Sequence, residues 1–144
     1  MALKITRTGS ATWSGGLKDG RGSISTESGA LKEQPYGFAM RFEGVRGSNP
    51  EELIAAAHAS CFTMALSLVL EQAGFKATRM HTNAAVTIEQ VQGGFAITSS
   101  QLTLEAQIPG IDEARFQSLA VTAKESCPVS KLLKAEISLN AKLT

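Results

Sequence analysis

Residues 50–73 constrain the fold most, because they carry helix signals at both ends and no continuous polar side. Asn49 can accept a hydrogen bond as the N-cap, and Pro50 suits the first helical position, where its missing N–H would have no partner. Glu52 at the third position completes a capping-box pattern. Gly74 supplies a left-handed stop. The sequence therefore predicts one helix of roughly 35 Å.

Large apolar side chains occur on every side of this helix: Leu53, Ile54, Met64, Leu66, Leu68, Val69 and Leu70. A helix that is apolar all round must be covered all round. A single chain of 144 residues offers too little other structure for that, so we predict a partner subunit. The length permits a membrane span, but the polar residues within it and its acidic start favour a buried helix of a soluble protein.

The flanking segments predict an α+β fold in a single domain, 1–144, with a strand region at 1–48 and a strand and helix region at 80–144. In the first region, within 36–42, the large apolar residues Phe38, Met40 and Phe42 alternate with Gly37, Ala39 and Arg41. That period of two predicts a strand with Arg41 on the face opposite Phe38 and Phe42.

The second region has turn and cap signals that separate its elements. It is interpreted as a hairpin around Gly93–Gly94, a further strand over 102–108, a helix capped by Asp112, a short helix after Cys127–Pro128 and a strand over 137–141.

Composition and the first residues of the sequence limit the possible functions. The net charge is +1 and the basic residues are scattered, which disfavours nucleic-acid binding. The sequence opens without the pattern of a secretory signal, so we expect a cytoplasmic protein. Thiols stay reduced there, and two cysteines are then more often redox-active or simply buried than a permanent disulfide.

The two cysteines differ in their predicted surroundings. Cys61 lies inside the long helix, where the amides are already bonded, so an activated thiolate there needs an external cation; the alternative is a small buried apolar residue. Cys127 precedes Pro128 at a helix start, where the helix dipole lowers a thiol pKa. Local electrostatics therefore favour Cys127 as the attacking thiol.

Other combinations of these residues are weaker. His58 and Cys61 share a helix face, which permits a nucleophile pair, but a histidine bonded elsewhere is favoured because no third group is evident. Zinc bound by His58, Cys61, His81 and Cys127 is disfavoured, since paired short spacings are missing. The residues alone leave an α+β domain, expected to be dimeric, with two thiols of open function.

Several motifs resemble the OsmC/Ohr family of thiol peroxidases, and those at 25–29 and 34–38 favour the OsmC branch. The segments are Ser25-Thr26-Glu27-Ser28-Gly29, Gln34-Pro35-Tyr36-Gly37-Phe38, Arg41-Phe42-Glu43-Gly44, Asn49-Pro50-Glu51-Glu52-Leu53, Ala56-Ala57-His58-Ala59-Ser60-Cys61-Phe62, Pro109-Gly110-Ile111 and Cys127-Pro128-Val129-Ser130. The resemblance covers nearly the whole chain in order and spacing.

The resemblance implies reduction of organic hydroperoxides, and more weakly of hydrogen peroxide, without a metal or cofactor. Cys61 matches the peroxidatic cysteine and Cys127 the resolving one, so a Cys61–Cys127 disulfide is implied. Arg41 matches the active-site arginine, and Glu51 the glutamate that holds it. An external dithiol, of the kind on lipoylated proteins, would reduce the disulfide.

The family fold implied is an intertwined homodimer, in which two long central helices are wrapped by sheets rich in antiparallel pairs. Its active sites lie at the subunit interface. Phe38, Phe42 and Phe62 are candidates to select bulky alkyl peroxides. The alternatives are a redox sensor or small-molecule-binding protein using the same thiols without turnover, and a structural dimer in which both cysteines only pack.

Overall fold

The structure is a computed structural model that describes residues 2–144. Contacts divide the chain into two compact units, one ending at Pro50 and the other comprising Glu51–Thr144. Both contain helix and strand, which confirms the α+β class. The single domain over 1–144 stays a prediction.

The first unit is built on a three-stranded antiparallel sheet in the order β1-β2-β3. Its strands are β1 (Gly9–Ser14), β2 (Arg21–Thr26) and β3 (Gln34–Tyr36). The rings of Trp13 and Tyr36 pack at a centroid distance of 5.4 Å. A Cβ on Gly22 would lie 2.4 Å from the Tyr36 ring and 2.6 Å from the Trp13 ring, so this aromatic pair requires glycine between its members.

The strand predicted over Tyr36–Phe42 is wrong. β3 ends at Tyr36, and a short helix, α1 (Phe38–Phe42), follows. Phe38 and Phe42 are one helical turn apart, with ring centroids 5.1 Å from each other. Large residues at positions 38, 40 and 42 fit a period of two, but positions 38 and 42 also fit the i, i+4 spacing of a helix. The Arg41 guanidinium consequently lies 5.3 Å from the centre of the Phe42 ring instead of on an opposite face.

The long helix is confirmed. α2 comprises Pro50–Gln72, and Gly74 follows it with φ of +90°, the left-handed stop that its sequence predicts. His58, Phe62, Leu66 and Leu70 are buried at intervals of four residues, so they form a buried stripe along one side of the helix.

Other sides of α2 remain uncovered. Met64 is 76% exposed and Leu68 55% exposed. The helix is long and apolar enough to cross a membrane by length and composition, and 22% of its most apolar window is buried. The predicted partner subunit, which would cover these sides, stays a prediction.

A three-stranded sheet lies in the second unit in the order β4-β5-β6, with β4 and β5 antiparallel and β5 and β6 parallel. Its strands are β4 (Arg79–Val91), β5 (Gly94–Gln107) and β6 (Glu136–Leu143). The hairpin is confirmed, with Gly94 paired to Val91. A separate strand over 102–108 is wrong, because β5 continues without a break from the hairpin to Gln107.

Two helices precede β6. α3 (Glu113–Ser126) begins where the Asp112 side chain accepts a 2.7 Å hydrogen bond from the Arg115 amide, which confirms the predicted cap. α4 (Pro128–Leu132) follows directly, and Cys127 is the residue between the two helices. The hydrophobic core joins α2, β5 and α3 through Phe62, Leu66, Leu70, Leu102, Leu104, Ala106, Ile108, Phe116, Ala120, Ala123 and Cys127.

Candidate active site

The two cysteines meet inside the second unit. Cys61 projects from α2 and Cys127 from the α3–α4 junction, and their Sγ atoms lie 2.9 Å apart across 66 residues of sequence. Both are free thiols. A disulfide bond is about 2.05 Å long, so bond formation needs an approach of roughly 1 Å.

Exposure distinguishes the two sulfurs. Cys61 is partly exposed, whereas Cys127 is fully buried within the core. A peroxide in solution can therefore reach Cys61 and not Cys127 as the protein stands.

The pKa of Cys61 is raised from its ordinary value. Burial is the largest cause, and the hydrogen bond and charge of the neighbouring Cys127 add to it, while the backbone amide of Val129 opposes it. These surroundings therefore favour the neutral thiol at position 61.

The pKa of Cys127 is lowered instead. Burial opposes its ionisation, but this is outweighed by hydrogen bonds from Cys61, from the backbone amide and hydroxyl of Ser130 and from the amide of Val129. In the neutral pair the Cys127 thiol donates to Cys61; once Cys127 is ionised, Cys61 becomes the donor. These local interactions agree with the electrostatic preference for Cys127 that its position before Pro128 predicts.

His58 is fully buried beside the thiol pair and is held by two serines. Its Nδ1 lies 2.6 Å from Ser100 Oγ, and its Nε2 lies 2.8 Å from Ser130 Oγ. Burial lowers the pKa of His58, so the ring is neutral at pH 7. Both ring nitrogens bond serines, as the interpretation of a histidine bonded elsewhere predicts, and neither is left for a direct pair with Cys61.

The serines were not evident as site residues in the sequence. Ser100 lies within a strand whose pattern shows only alternation, and its partner is 42 positions away. Ser130 is part of the motif that begins at Cys127. Its position three residues after that cysteine is the feature of the sequence that could have indicated a role at the site. Only the folded chain brings β5, α2 and α4 together at His58.

Arg41 and Glu51 are placed by different units. Arg41 is exposed on α1, where it lines a cavity of about 230 Å³ with Trp13, Leu17, Tyr36, Gly37, Phe38 and Phe42. Glu51 is in the first turn of α2 and is only 8% exposed. Their predicted roles toward Cys61 stay predictions.

Metal binding has no donor cluster in the part of the chain that the structure describes: residues 2–144 contain no group of three or more His, Cys, Asp and Glu side chains suited to a metal ion. Of the four residues considered for zinc, His81 lies on β4 opposite Glu105. His58 is already bonded to serines through both nitrogens.

A mixed helix and sheet fold that brings an accessible thiol into contact with a buried one defines a thiol-based redox protein. The family model described as OsmC-like protein matches residues 43–142. The chain therefore belongs to the OsmC-like family, which confirms the resemblance carried by its motifs.

Two curated relatives match almost from end to end. The chain is 53% identical to Peroxiredoxin OsmC of Escherichia coli over 98% of this chain and 99% of the relative. It is 31% identical to the Organic hydroperoxide resistance protein of Xanthomonas axonopodis pv. citri, covering 97% and 96% of the two chains. The higher identity to the first agrees with the predicted OsmC branch.

Solved structures share the fold. The crystal structure of the Organic Hydroperoxide Resistance Protein OhrB of Bacillus subtilis superimposes with a TM-score of 0.68 at 27% identity, over 95% of this chain and 98% of that chain.

Proposed function

We propose that this chain is a thiol peroxidase that reduces organic hydroperoxides, and more weakly hydrogen peroxide, with Cys61 as the peroxidatic and Cys127 as the resolving cysteine. The observation that carries the proposal is the 2.9 Å contact between the accessible Cys61 and the buried Cys127. The names of the relatives, a peroxiredoxin and an organic hydroperoxide resistance protein, support the same chemistry.

The cycle has three steps. The Cys61 thiolate attacks the distal oxygen of the hydroperoxide, the O–O bond breaks, and the alkoxide takes a proton to leave as an alcohol while Cys61 becomes a sulfenic acid. The Cys127 thiolate then attacks the Cys61 sulfur, and the hydroxyl leaves with a proton as water. An external dithiol, of the lipoyl type, reduces the disulfide and is itself oxidised.

Access assigns the first step to Cys61 even though the pKa shifts favour ionisation of Cys127. A peroxide must touch the attacking sulfur, and burial prevents that at Cys127. Since its surroundings in the second unit raise the pKa of Cys61, the cycle needs a cation to stabilise the thiolate. We assign that role to Arg41, with Glu51 orienting the guanidinium through a charge-assisted contact.

The cavity beside Arg41 suits an organic substituent. Trp13, Phe38 and Phe42 line it together with the Arg41 side chain. Aromatic walls bind alkyl and aryl groups by burying apolar surface, while the guanidinium stabilises charge that develops on the peroxide oxygens. This composition favours bulky organic hydroperoxides over hydrogen peroxide.

A second copy of this chain is the proposed cover of α2. The exposed Met64 borders a shallow groove of about 590 Å³ along the helix, lined also by Ala56, Ala59, Ser60, Thr63, Ser67, Met80 and Thr82. Small and apolar side chains of this kind allow two such helices to pack closely. We therefore propose a homodimer, working in the cytoplasm, where dithiol reductants are kept reduced.

Consumption of cumene hydroperoxide in the presence of excess dithiol tests the function. The wild type is expected to turn over repeatedly, and Cys61→Ser to consume nothing. Cys127→Ser is expected to undergo one oxidation and then accumulate sulfenic or over-oxidised Cys61. Oxidation of the wild type that stops after one equivalent despite the dithiol would instead indicate a redox sensor. No thiol loss at all would indicate a structural dimer.

A further inference from the structure

The structure contains a buried chain of hydrogen-bonding groups that ends at Cys127. Ser100 on β5 contacts one nitrogen of His58, and Ser130 on α4 contacts the other. Cys127 is the N-cap of α4 and Ser130 lies in its first turn, and hydrogen bonding from the Ser130 hydroxyl and amide lowers the pKa of the Cys127 thiol. We propose that Ser130 and His58 are positioning residues for the resolving step, in which they hold Cys127 as a thiolate aimed at oxidised Cys61. The proposal rests on the proposed function, because it assumes that Cys127 resolves.

The direction of these hydrogen bonds explains how the network of Ser100, His58 and Ser130 acts on Cys127. A neutral imidazole has one donor and one acceptor nitrogen. When Nε2 carries the proton, Ser100 donates to Nδ1, Nε2–H donates to Ser130 Oγ, and the Ser130 hydroxyl is left to donate to the Cys127 thiolate. In the opposite tautomer Ser130 donates to His58, and its oxygen accepts from a Cys127 thiol. One histidine therefore sets which form of Cys127 is stabilised.

Burial makes this arrangement effective. His58 and Ser100 are fully buried and Ser130 is nearly so, so water does not compete strongly for these hydrogen bonds. Among the side chains of residues 2–144 no buried nitrogen or oxygen lacks a partner. The network is thus fully satisfied, and removal of one member leaves its neighbour unpaired.

The proton balance of the resolving step fits the same groups. Reaction of a Cys127 thiol with Cys61 sulfenic acid forms one S–S bond, breaks one S–O bond and releases water, and the thiol proton ends on the leaving hydroxyl. With Cys127 held as the thiolate, its proton is already in solvent, and the leaving hydroxide takes up one proton from solvent to depart as water. No oxidant beyond the peroxide is needed.

Rapid mixing separates the two steps that the proposal distinguishes. Reduced protein is mixed with one equivalent of cumene hydroperoxide and quenched with an alkylating reagent, and mass spectrometry follows thiol, sulfenic acid and disulfide. Ser130→Ala is expected to slow disulfide formation about tenfold while the first oxidation keeps its rate, since a hydrogen bond to a charged group is lost. Ser130→Thr, which retains the hydroxyl, is expected to restore the rate.

A matched control and a second variant guard against simple loss of structure. Ser126→Ala removes a hydroxyl one residue from Cys127 that bonds the Ala123 carbonyl, and it is expected to resolve at the wild-type rate. Ser100→Ala leaves both cysteines and Ser130 in place and is expected to slow the same step about threefold. Thermal unfolding checks that each variant is folded.

Titration of the Cys127 thiol supplies a readout that packing alone does not move. In a Cys61→Ser background, thiolate ultraviolet absorbance is expected to show a higher Cys127 pKa after Ser130→Ala and an unchanged one after Ser126→Ala. The titratable group that contacts Cys127 directly is Cys61, and the charged residues closest in sequence are Lys131, next to Ser130 on α4, and Glu51, seven residues before His58 on α2.

Two results would overturn this proposal. The first is disulfide formation in Ser130→Ala and Ser100→Ala as fast as in the wild type. The second is an unchanged Cys127 pKa in both. Absence of any peroxide-dependent oxidation of Cys61, whether as sulfenic acid or as disulfide, would instead refute the proposed function, so the two failures are distinguishable.

Discussion

The two units of the chain are packed to different degrees. Among the described residues up to Pro50 none is buried, whereas residues 51–144 contain the whole hydrophobic core together with the thiols and His58. A three-stranded sheet with one short helix has little apolar surface of its own to bury. The second unit therefore holds both sulfurs against its core, whereas Arg41 and its aromatic cavity belong to a unit without a buried core.

This difference separates two tasks. The second unit holds Cys61 and Cys127 in contact but raises the pKa of the sulfur that a peroxide can reach. The second unit thus supplies the contact between the two sulfurs, and under the proposed function the first unit supplies the cation that activates Cys61. Loss of the activating cation should therefore affect the reaction most, and changes to the periphery of the second unit least.

The largest effect is expected for Arg41→Ala. If the first unit supplies the cation, loss of the guanidinium should reduce kcat/KM for cumene hydroperoxide by about 10²-fold or more. Arg46→Ala, which removes another exposed arginine close behind α1, should retain the wild-type value. Peroxide-dependent kinetics with saturating dithiol measure both. Wild-type kcat/KM in Arg41→Ala would refute the assigned role.

The next effect concerns the uncovered side of α2. Met64→Glu places a charge at the middle of the proposed helix contact, so sedimentation velocity at micromolar concentration should show a dimer for the wild type and a monomer for the variant. Leu132→Glu is the control, because Leu132 on α4 is similarly exposed, at 78%, and lies outside the groove. A monomeric wild type would contradict the homodimer.

The last prediction concerns stability and not the reaction, and it contrasts core and periphery within the second unit. Phe116→Ala removes a fully buried ring of α3 and should lower the free energy of unfolding by about 3–5 kcal/mol. Phe95→Ala, at a residue 57% exposed beside the hairpin turn, should cost about 0.5 kcal/mol. Chemical denaturation measures both. Equal losses would show that the core lies elsewhere.

The sequence predicted the features that depend on local chemistry. Caps and stops at Pro50, Gly74 and Asp112 define helix boundaries through nearby backbone groups, and these were confirmed. The family and the peroxidase class followed from motifs in their correct order. The apolar residues on several sides of α2 are visible in the sequence, but the partner subunit that they predict stays a prediction.

What the sequence missed depends on ambiguous or distant contacts. The pattern over Tyr36–Phe42 fits both the period of two of a strand and the i, i+4 spacing of a helix. In the structure the segment is helical, and the Phe38 and Phe42 rings pack together. Residues 95–97 and 102–108 each carry their own apolar pattern and predict two strands, but β5 continues from the first into the second. Ser100 and Ser130 gained a role only when the fold placed them on opposite sides of His58.

Trapping of the first oxidised sulfur tests the central claim most directly. Cys127→Ser and Cys61→Ser are each given one equivalent of cumene hydroperoxide with a sulfenic-acid trap, and peptide mass spectrometry locates the adduct. The account predicts a rapid adduct on Cys61 in the first variant and almost none on Cys127 in the second, because exposure outweighs the lower pKa of the buried thiol. Oxidation of Cys127 in Cys61→Ser at the wild-type rate would contradict it.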